Sequence, residues 1–405
     1  MKKQYMENKK ILIIGASILQ LPAIKRAKGM GLTVGVVDYN SKAVGIPFAN
    51  EYYNVSTIDR EGILAVAKEF QPDGIMTMAT DMPMRTIAYV CKKIGLNSIS
   101  EECAFNCTDK IEMIKRFKAH NVPSPMYAEA DRESDLSAVL EGFGFPLIMK
   151  PADNSGSRGV VKVESLQECK DNLEYVLRSS RNGKIIIEEF MQGPEVSVEV
   201  FAVKGKAHVL QITDKLTTGA PHFVEMGHSQ PSTLEKSVKA AIESVAQQAV
   251  TAVGLVDGPA HLEMIITSSG PKMVEMGARM GGDCITSHLV PLSTGIDMTE
   301  QTINCALGLP VDLEPKISKS SAIRFLTAEQ GKISSIDGAE QAKAVEGVKF
   351  VEFFKTVGDT ATEIFSSGDR IGYVIAQGDS VEEAISACQK ASRIIKIGVE
   401  KQENV

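Results

Sequence analysis

The 405 residues exceed what one ordinary hydrophobic core accommodates, so two or three domains are expected. With 43% hydrophobic and 23% charged residues, the composition is that of a globular protein and excludes a disordered chain. A net charge of −7 and the absence of Trp argue against DNA or RNA as the main partner, which needs a basic surface. The opening MKKQYMENKK–ILIIGAS meets Gly15 after four apolar residues, too early for a signal peptide, and no apolar run approaches the roughly 20 residues that span a bilayer. A soluble, cytoplasmic protein is expected.

The first hundred residues alternate short β-rich runs with helical patterns. Strands are predicted at Ile11–Ile14, Thr33–Asp38, Tyr52–Val55 and Gly74–Met78, and helices at Pro22–Gly29, Glu61–Phe70 and Met84–Ile94. Strands joined by helix-length connections imply a parallel sheet with right-handed crossovers. Gly15 after the first strand and Asp38 closing the second suggest a Rossmann-like start. The full G-x-G-x-x-G is absent, so a strand–turn–helix corner is favoured over a dinucleotide site. A linker and the helix Asp109–Ala119 follow.

Further strands are expected at Phe145–Lys150, Gly159–Val163, Lys184–Phe190 and Glu195–Val203, with the helix Ser165–Ser179 among them. A second strand-rich stretch is expected over 207–290, with the helix Leu234–Val253 inside it. A final unit from about 320 carries strands at Ala322–Leu326, Lys349–Phe354 and Arg370–Ala376, and helices at Ala339–Val345 and Val381–Ile395. The seven cysteines form no C-x-x-C, and Cys103 and Cys107 lack a second Cys/His pair for zinc. Reduced structural thiols are the better reading.

Two constellations carry chemistry. In Ile148–Val160 a strand delivers Lys150 into the flexible loop Asp153-Asn-Ser155-Gly156-Ser157-Arg158-Gly159, whose backbone N–H groups are able to meet phosphate oxygens. By itself this loop reads equally well as a glycine-rich hairpin. Next, His261-Leu-Glu263 and Glu275-Met-Gly-Ala-Arg279 flank a Ser-Ser-Gly turn, and a hairpin there places Glu263 and Glu275 on neighbouring strands. Two such carboxylates suit Mg²⁺ between ATP phosphates, and Arg279 suits a phosphate or carboxylate ligand. Solvent-facing glutamates on a hairpin edge are the bland alternative.

Taken in order, Lys110, Lys150 with its glycine loop, Glu188-Glu-Phe-Met-Gln-Gly-Pro-Glu195, Glu263 and Glu275…Arg279 resemble the ATP-grasp superfamily over most of the chain. The resemblance implies an α/β fold: a Rossmann-like pre-ATP-grasp domain (1–110), an ATP-grasp domain (111–305, with a lid lobe at about 125–190) and a small C-terminal α+β domain (306–405). It implies that Lys110 and Lys150 reach the ATP phosphates and that Ser155, Gly156 and Ser157 cover them. Glu188, Glu189, Phe190 and Met191 would form the adenine hinge, with Glu195 on the ribose. Glu263 and Glu275 would hold magnesium, two ions in the usual arrangement, with Mn²⁺ as a substitute. The family's Asn two residues past the second Glu is Gly277 here, which leaves one ligand unaccounted for.

Pro221–Pro231, with Glu225 and His228 three apart, resembles the branch of bacterial L-amino-acid ligases. That resemblance implies that Glu225 and His228 line an amino-acid site, with Arg279 on a substrate carboxylate or acyl phosphate. His228 as a mere loop cap is the alternative. The expected activity is ADP-forming joining of a small-molecule carboxylate to an amine through an acyl phosphate, by an enzyme compatible with a homodimer and without membrane or nucleic-acid partners. The rivals are a phosphoribosylglycinamide synthetase-type ligase, a carbamoyl-phosphate synthase-like enzyme and a non-catalytic nucleotide-binding protein.

Overall fold

A computed structural model of the chain describes residues 8–154, 156, 158–219 and 223–400. Four strands, β1 (Lys10–Ile14), β2 (Thr33–Val37), β3 (Glu51–Tyr53) and β4 (Gly74–Met76), form a wholly parallel sheet in the order β3-β2-β1-β4. Ile11 and Ile13 face one apolar cluster, and Leu12 and Ile14 another. The run is apolar throughout because helices cover both faces. Helix α1 (Leu21–Gly29) packs on the first side, α2 (Arg60–Phe70) and α3 (Pro83–Ile94) on the second.

Gly15 makes the sharp corner after β1 at φ +99, where a Cβ would lie 2.8 Å from Gln20 Oε1. Gln20 itself reaches Met78 O and so fills the crook of the turn. The Asp38 carboxylate accepts from Ala16 N at 2.8 Å and ties the first two corners together. β4 ends two residues before the predicted Met78, because the Thr77 hydroxyl turns back to Ile14 O and Ala79 adopts a positive φ.

After α4 (Lys110–Ala119), whose first turn is capped by the Asp109 carboxylate, comes an antiparallel sheet in the order β5-β8-β6-β7. It comprises β5 (Tyr127–Ala130), β6 (Leu147–Pro151), β7 (Val161–Val163) and β8 (Ile185–Glu189), and packs against α5 (Leu166–Arg178). The third sheet has eight strands. Its first five strands in the chain are β9 (Glu195–Val203), β10 (Lys206–Thr217), β11 (Glu225–Gln230), β12 (Gly258–Thr267) and β13 (Gly270–Gly277), with α6 (Lys236–Val253) against them. The segment 285–294 is helical rather than part of the strand-rich stretch, and α7 (Met298–Ala306) follows.

The remaining strands are β14 (Ser320–Leu326), β15 (Gly331–Asp337), β16 (Val348–Phe353), β17 (Thr360–Ala361), β18 (Gly372–Gly378) and, after α8 (Val381–Ile394), β19 (Lys396–Glu400). β14, β18 and β16 continue the large sheet, in the order β13-β12-β9-β10-β11-β14-β18-β16. The C-terminal segment is thus hydrogen-bonded to the strands before it through β11 and β14. β17, β15 and β19 form a small sheet of their own.

Candidate active site

The floor of the site begins in the alternation of β9. Val196, Val198 and Val200 face the core under α6, while Ser197 and Glu199 on the opposite face are also fully buried. This second face is therefore covered by other parts of the chain rather than by solvent, and only its Glu195 end lines the cleft. β12 lies beside β9 and β13 beside β12, and Glu263 stands directly opposite Glu275 in the hairpin register.

Lys215 of β10 sits at the centre of this floor. Its Nζ lies 2.5 Å from Glu195 Oε1, 3.4 Å from Glu263 Oε1 and 3.5 Å from Glu225 Oε1, with 3% of the side chain exposed. Burial opposes its charge, but the three carboxylates outweigh burial and raise its pKa well above the ordinary lysine value. One cation cannot satisfy three anions equally. Burial works to raise the pKa of the Glu263 carboxyl, yet Lys215 and His261 hold it well below the usual range; for Glu195, burial prevails and pushes the pKa up. Glu225 reaches this floor because a β-bulge between Leu216 and Thr217 shifts the β10–β11 register. A regular strand would place residues three apart on opposite faces. The bulge sets Glu225 opposite Thr217 and His228 opposite Lys215, on one face.

Two further lysines approach from other elements. Lys110, at the start of α4, bonds Glu275 Oε2 at 2.8 Å and the carbonyl of Asn154 at 2.8 Å. Burial lowers its pKa, but Glu275, Asp81 and Glu188 reverse the sign and hold it above the usual value. Lys150 on β6 pairs with Glu188 on β8 at 2.7 Å, both nearly buried. Glu189 is held by Lys272 at 2.6 Å, and Lys162 lies over the Phe190 ring. Lys110, Lys150, Glu188, Glu189 and Phe190, with Gly156, Met191, Glu195 and Glu225, surround one cleft of about 460 Å³. Gly156 and Gly159 both hold positive φ, as the loop needs to double back. Ser155 and Ser157 lie outside the described residues.

The donor set suits a hard divalent cation. Glu263 and Glu275 offer carboxylate oxygen from adjacent strands beside lysines placed for phosphate. Among the described residues no third His, Cys, Asp or Glu completes a metal cage with them. Phosphate oxygens and water would therefore fill the remaining positions, as Mg²⁺ prefers.

At Gly277, where the family pattern calls for Asn, a Cβ would lie 2.6 Å from Asp81 Oδ1 and 3.0 Å from Arg279 Nε. The space is taken by an ion pair. Asp81, on the loop after β4, holds Arg279 through Nε at 2.7 Å and Nη2 at 3.1 Å, and Arg279 Nη1 donates to Met280 O. Three of its five N–H donors are thereby engaged, leaving two for a ligand. Burial raises the Asp81 carboxyl, but Arg279 more than offsets that and keeps it low.

His228 is only 1% exposed and so does not open onto the cleft as a lining residue. Its Nε2 meets Asp283 Oδ2 at 3.3 Å, and its ring packs edge-on to Phe325. Asp283 in turn receives both Arg370 nitrogens, at 2.8 and 2.7 Å, and Arg370 also donates to the Glu225 carbonyl and lies over Phe325. Despite burial, Arg370 and His228 keep the Asp283 carboxyl well below its usual range. Its contribution to stability is complete above the unfolded value near 4 and is lost as pH falls through the folded one. Unfolding measured from pH 7 to 2 is expected to show a shallower acid limb in Asp283→Asn than in wild type. Equal limbs would remove Asp283 from the acid transition.

Lys215, Asp81, Asp283, Arg370 and the His261–Glu199 contact are absent from the sequence-based site. A lysine in an alternating strand, K-A-H-V-L-Q-I-T-D-K-L-T, is the one local signal among them.

Residues 143–287 match the ATP-grasp domain, and residues 324–400 match the L-amino acid ligase C-terminal domain 2. Residues 143–287 thus carry an ATP-grasp domain. The C-terminal part of the chain is of the kind found in L-amino acid ligases. The chain is 29% identical over 263 residues to alanine–anticapsin ligase of Bacillus subtilis, covering 59% of this chain and 55% of that protein. It is 26% identical over 403 residues to formate-dependent phosphoribosylglycinamide formyltransferase of Saccharolobus solfataricus, covering 96% and 97%. In three dimensions it is similar to the crystal structure of L-amino acid ligase from Bacillus licheniformis, with a TM-score of 0.84 at 23% identity, over 98% of this chain and all of that one. Among the described residues no helix is long and apolar enough to cross a membrane.

Proposed function

We propose that this chain is an ATP-dependent carboxylate–amine ligase that activates a carboxylate as an acyl phosphate and passes the acyl group to the amine of an amino acid. The observation that carries the reading is the cleft itself, with Glu263 and Glu275 paired on its floor and Lys110 and Lys150 beside them. Oxide is too poor a leaving group for direct attack on a carboxylate, whereas phosphate leaves readily. Lys110 and Lys150 would hold the phosphates in line and offset charge on the transferred group. Magnesium, two ions in this reading with Mn²⁺ able to substitute, would supply further charge stabilisation from Glu263 and Glu275. Glu188 to Met191 would meet the adenine, Glu195 the ribose, and the loop around Ser155, Gly156 and Ser157 would close over the phosphates to exclude water.

Glu225 would face the amino group of a substrate. His228, through Asp283, would stiffen the wall behind it, and the two remaining donors of Arg279 would meet a carboxylate or acyl phosphate. The division into units near residues 110 and 305, a lid lobe at about 125–190, a homodimer and a cytoplasmic location belong to the same proposal. Glu225 on the floor and the engagement of Arg279 and Arg370 by aspartates favour an amino acid over a phosphorylated ribose amine. The C-terminal match supports the same choice.

A panel of amino-acid pairs, set against phosphoribosylamine with glycine and read by ADP release, separates the readings. Turnover only with the ribose amine would replace the amino-acid reading by the purine one. Lys150→Ala is expected to raise the ATP concentration for half-maximal rate at least tenfold, as loss of a charge-assisted contact of about 1.5–3 kcal/mol implies. An unchanged ATP requirement would take Lys150 out of the phosphate site.

A further inference from the structure

The buried pair His261–Glu199 is not used by the chemistry above. His261 and Glu263 are two apart on β12 and so share one face, and Glu199 stands opposite His261 on β9. His261 Nδ1 lies 2.7 Å from Glu199 Oε1, and Nε2 lies 3.4 Å from Glu263 Oε1. Glu199 has no exposed surface and His261 has 7%. The chain after Arg279 seals the pair from above: at Gly281 a Cβ would lie 2.6 Å from His261 Nδ1 and 3.0 Å from Glu199 Oε2. A side chain there would force the pair apart.

A carboxylate buried this deeply is costly unless it is paired and hydrogen-bonded. Packing alone gives no reason for it, since Val196, Val198 and Val200 of the same strand build the core on the other face. What the pair achieves is directional. Glu199 fixes the ring of His261 through one nitrogen, and the other nitrogen is aimed at a single oxygen of Glu263. With Lys215 on that same oxygen, Glu263 Oε2 is left for another ligand. Metal-binding carboxylates are commonly oriented by such outer partners, whose loss costs about 10–100-fold in metal affinity or activity.

We propose that Glu199 and His261 are positioning residues that hold Glu263 in the orientation needed to present one oxygen to the divalent cation accompanying the nucleotide. The inference rests on the metal role given above to Glu263 and Glu275. It requires no change of protonation during turnover.

The test is Mn²⁺ binding in the presence of ADP, followed by the paramagnetic signal of free Mn²⁺, alongside ADP binding without metal and thermal unfolding. Glu199→Leu/His261→Leu removes the relay without leaving a buried charge unpaired. Glu199→Gln/His261→Gln serves should the apolar pair fail to fold. The expected result is Mn²⁺ affinity weakened at least tenfold, with metal-free ADP binding within twofold of wild type. Restoring His261 alone, in Glu199→Gln, should recover most of the loss. Mn²⁺ affinity within twofold of wild type in a folded relay variant overturns the proposal. Glu263→Gln and Glu275→Gln are the controls. If they lose Mn²⁺ and the relay variant does not, only the relay falls; if they too keep it, the metal assignment falls and takes the relay with it.

Discussion

Glu275→Gln is expected to leave a folded protein in which ATP-dependent ligation falls about a thousandfold. The fold should survive because the glutamine amide oxygen still accepts from Lys110, which the Asn154 carbonyl also holds in place. The reaction should not survive. A neutral amide is a poor ligand for a hard cation, and phosphoryl transfer depends on fixed charge around the transferred group. Removing a single preorganised donor at a developing anion costs about 10²–10³ in rate, and loss of a metal-binding carboxylate should do no less. The measurement is ADP release with the best substrate pair, beside a far-ultraviolet spectrum and a melting curve. Near wild-type turnover in a folded variant would strip Glu275 of its metal role. Glu263→Gln should act in the same direction with a larger cost in stability, since Glu263 also faces Lys215 and His261.

That these two glutamates were legible in the sequence follows from their being local to one another. Two β-runs around a Ser-Ser-Gly turn fix a hairpin, and the hairpin fixes the pair at Glu263↔Glu275. Glu195–Val203 was readable to the residue because E-V-S-V-E-V alternates cleanly. The strand Tyr127–Ala130 was not, since Y-A-E-A is short and only its pairing with β8 declares it. Gly331–Asp337 and Lys396–Glu400 carry too few apolar residues to signal a strand, and each is stabilised by the other. The helical segment 285–294 looks like strand by composition, being rich in Ile, Thr, Leu and Val.

At the site, the same boundary between local and distant information applies. Asp81 lies 198 residues from Arg279, and Asp283 lies 87 from Arg370, so no spacing rule brings either pair together. Yet the missing Asn at Gly277 was a visible anomaly. Its physical reason is the distant Asp81–Arg279 pair, which fills the volume a side chain would need. Glu225 and His228 share a face for a reason the sequence does not display, a bulge in the β10–β11 register, yet only Glu225 lines the cleft while His228 is buried.

Lys215→Met tests how far this floor is an electrostatic assembly. Methionine keeps an unbranched apolar side chain one heavy atom shorter than that of lysine, so most of the packing is conserved and the main change is the loss of charge. Three carboxylates, Glu195, Glu225 and Glu263, would then share a buried surface without their cation. Breaking a buried ion pair from one side costs roughly 3–5 kcal/mol, and that range is the loss of stability expected near neutral pH. The pH dependence gives the sharper reading. In wild type, Lys215 stays protonated well past the ordinary lysine range and holds Glu263 ionised. In the variant the carboxyl pKa values rise above their unfolded values, so protonation favours the folded state and stability recovers as pH falls toward about 5. Denaturant unfolding of the two proteins from pH 5 to 9 should therefore converge at the acid end and diverge with rising pH. Saturating MgADP should also return part of the loss, since bound cations replace the missing charge and a ligand of the native state stabilises it. A variant as stable as wild type across that range would mean that solvent, not Lys215, compensates the three glutamates, and the cleft floor would have to be redrawn as an open surface.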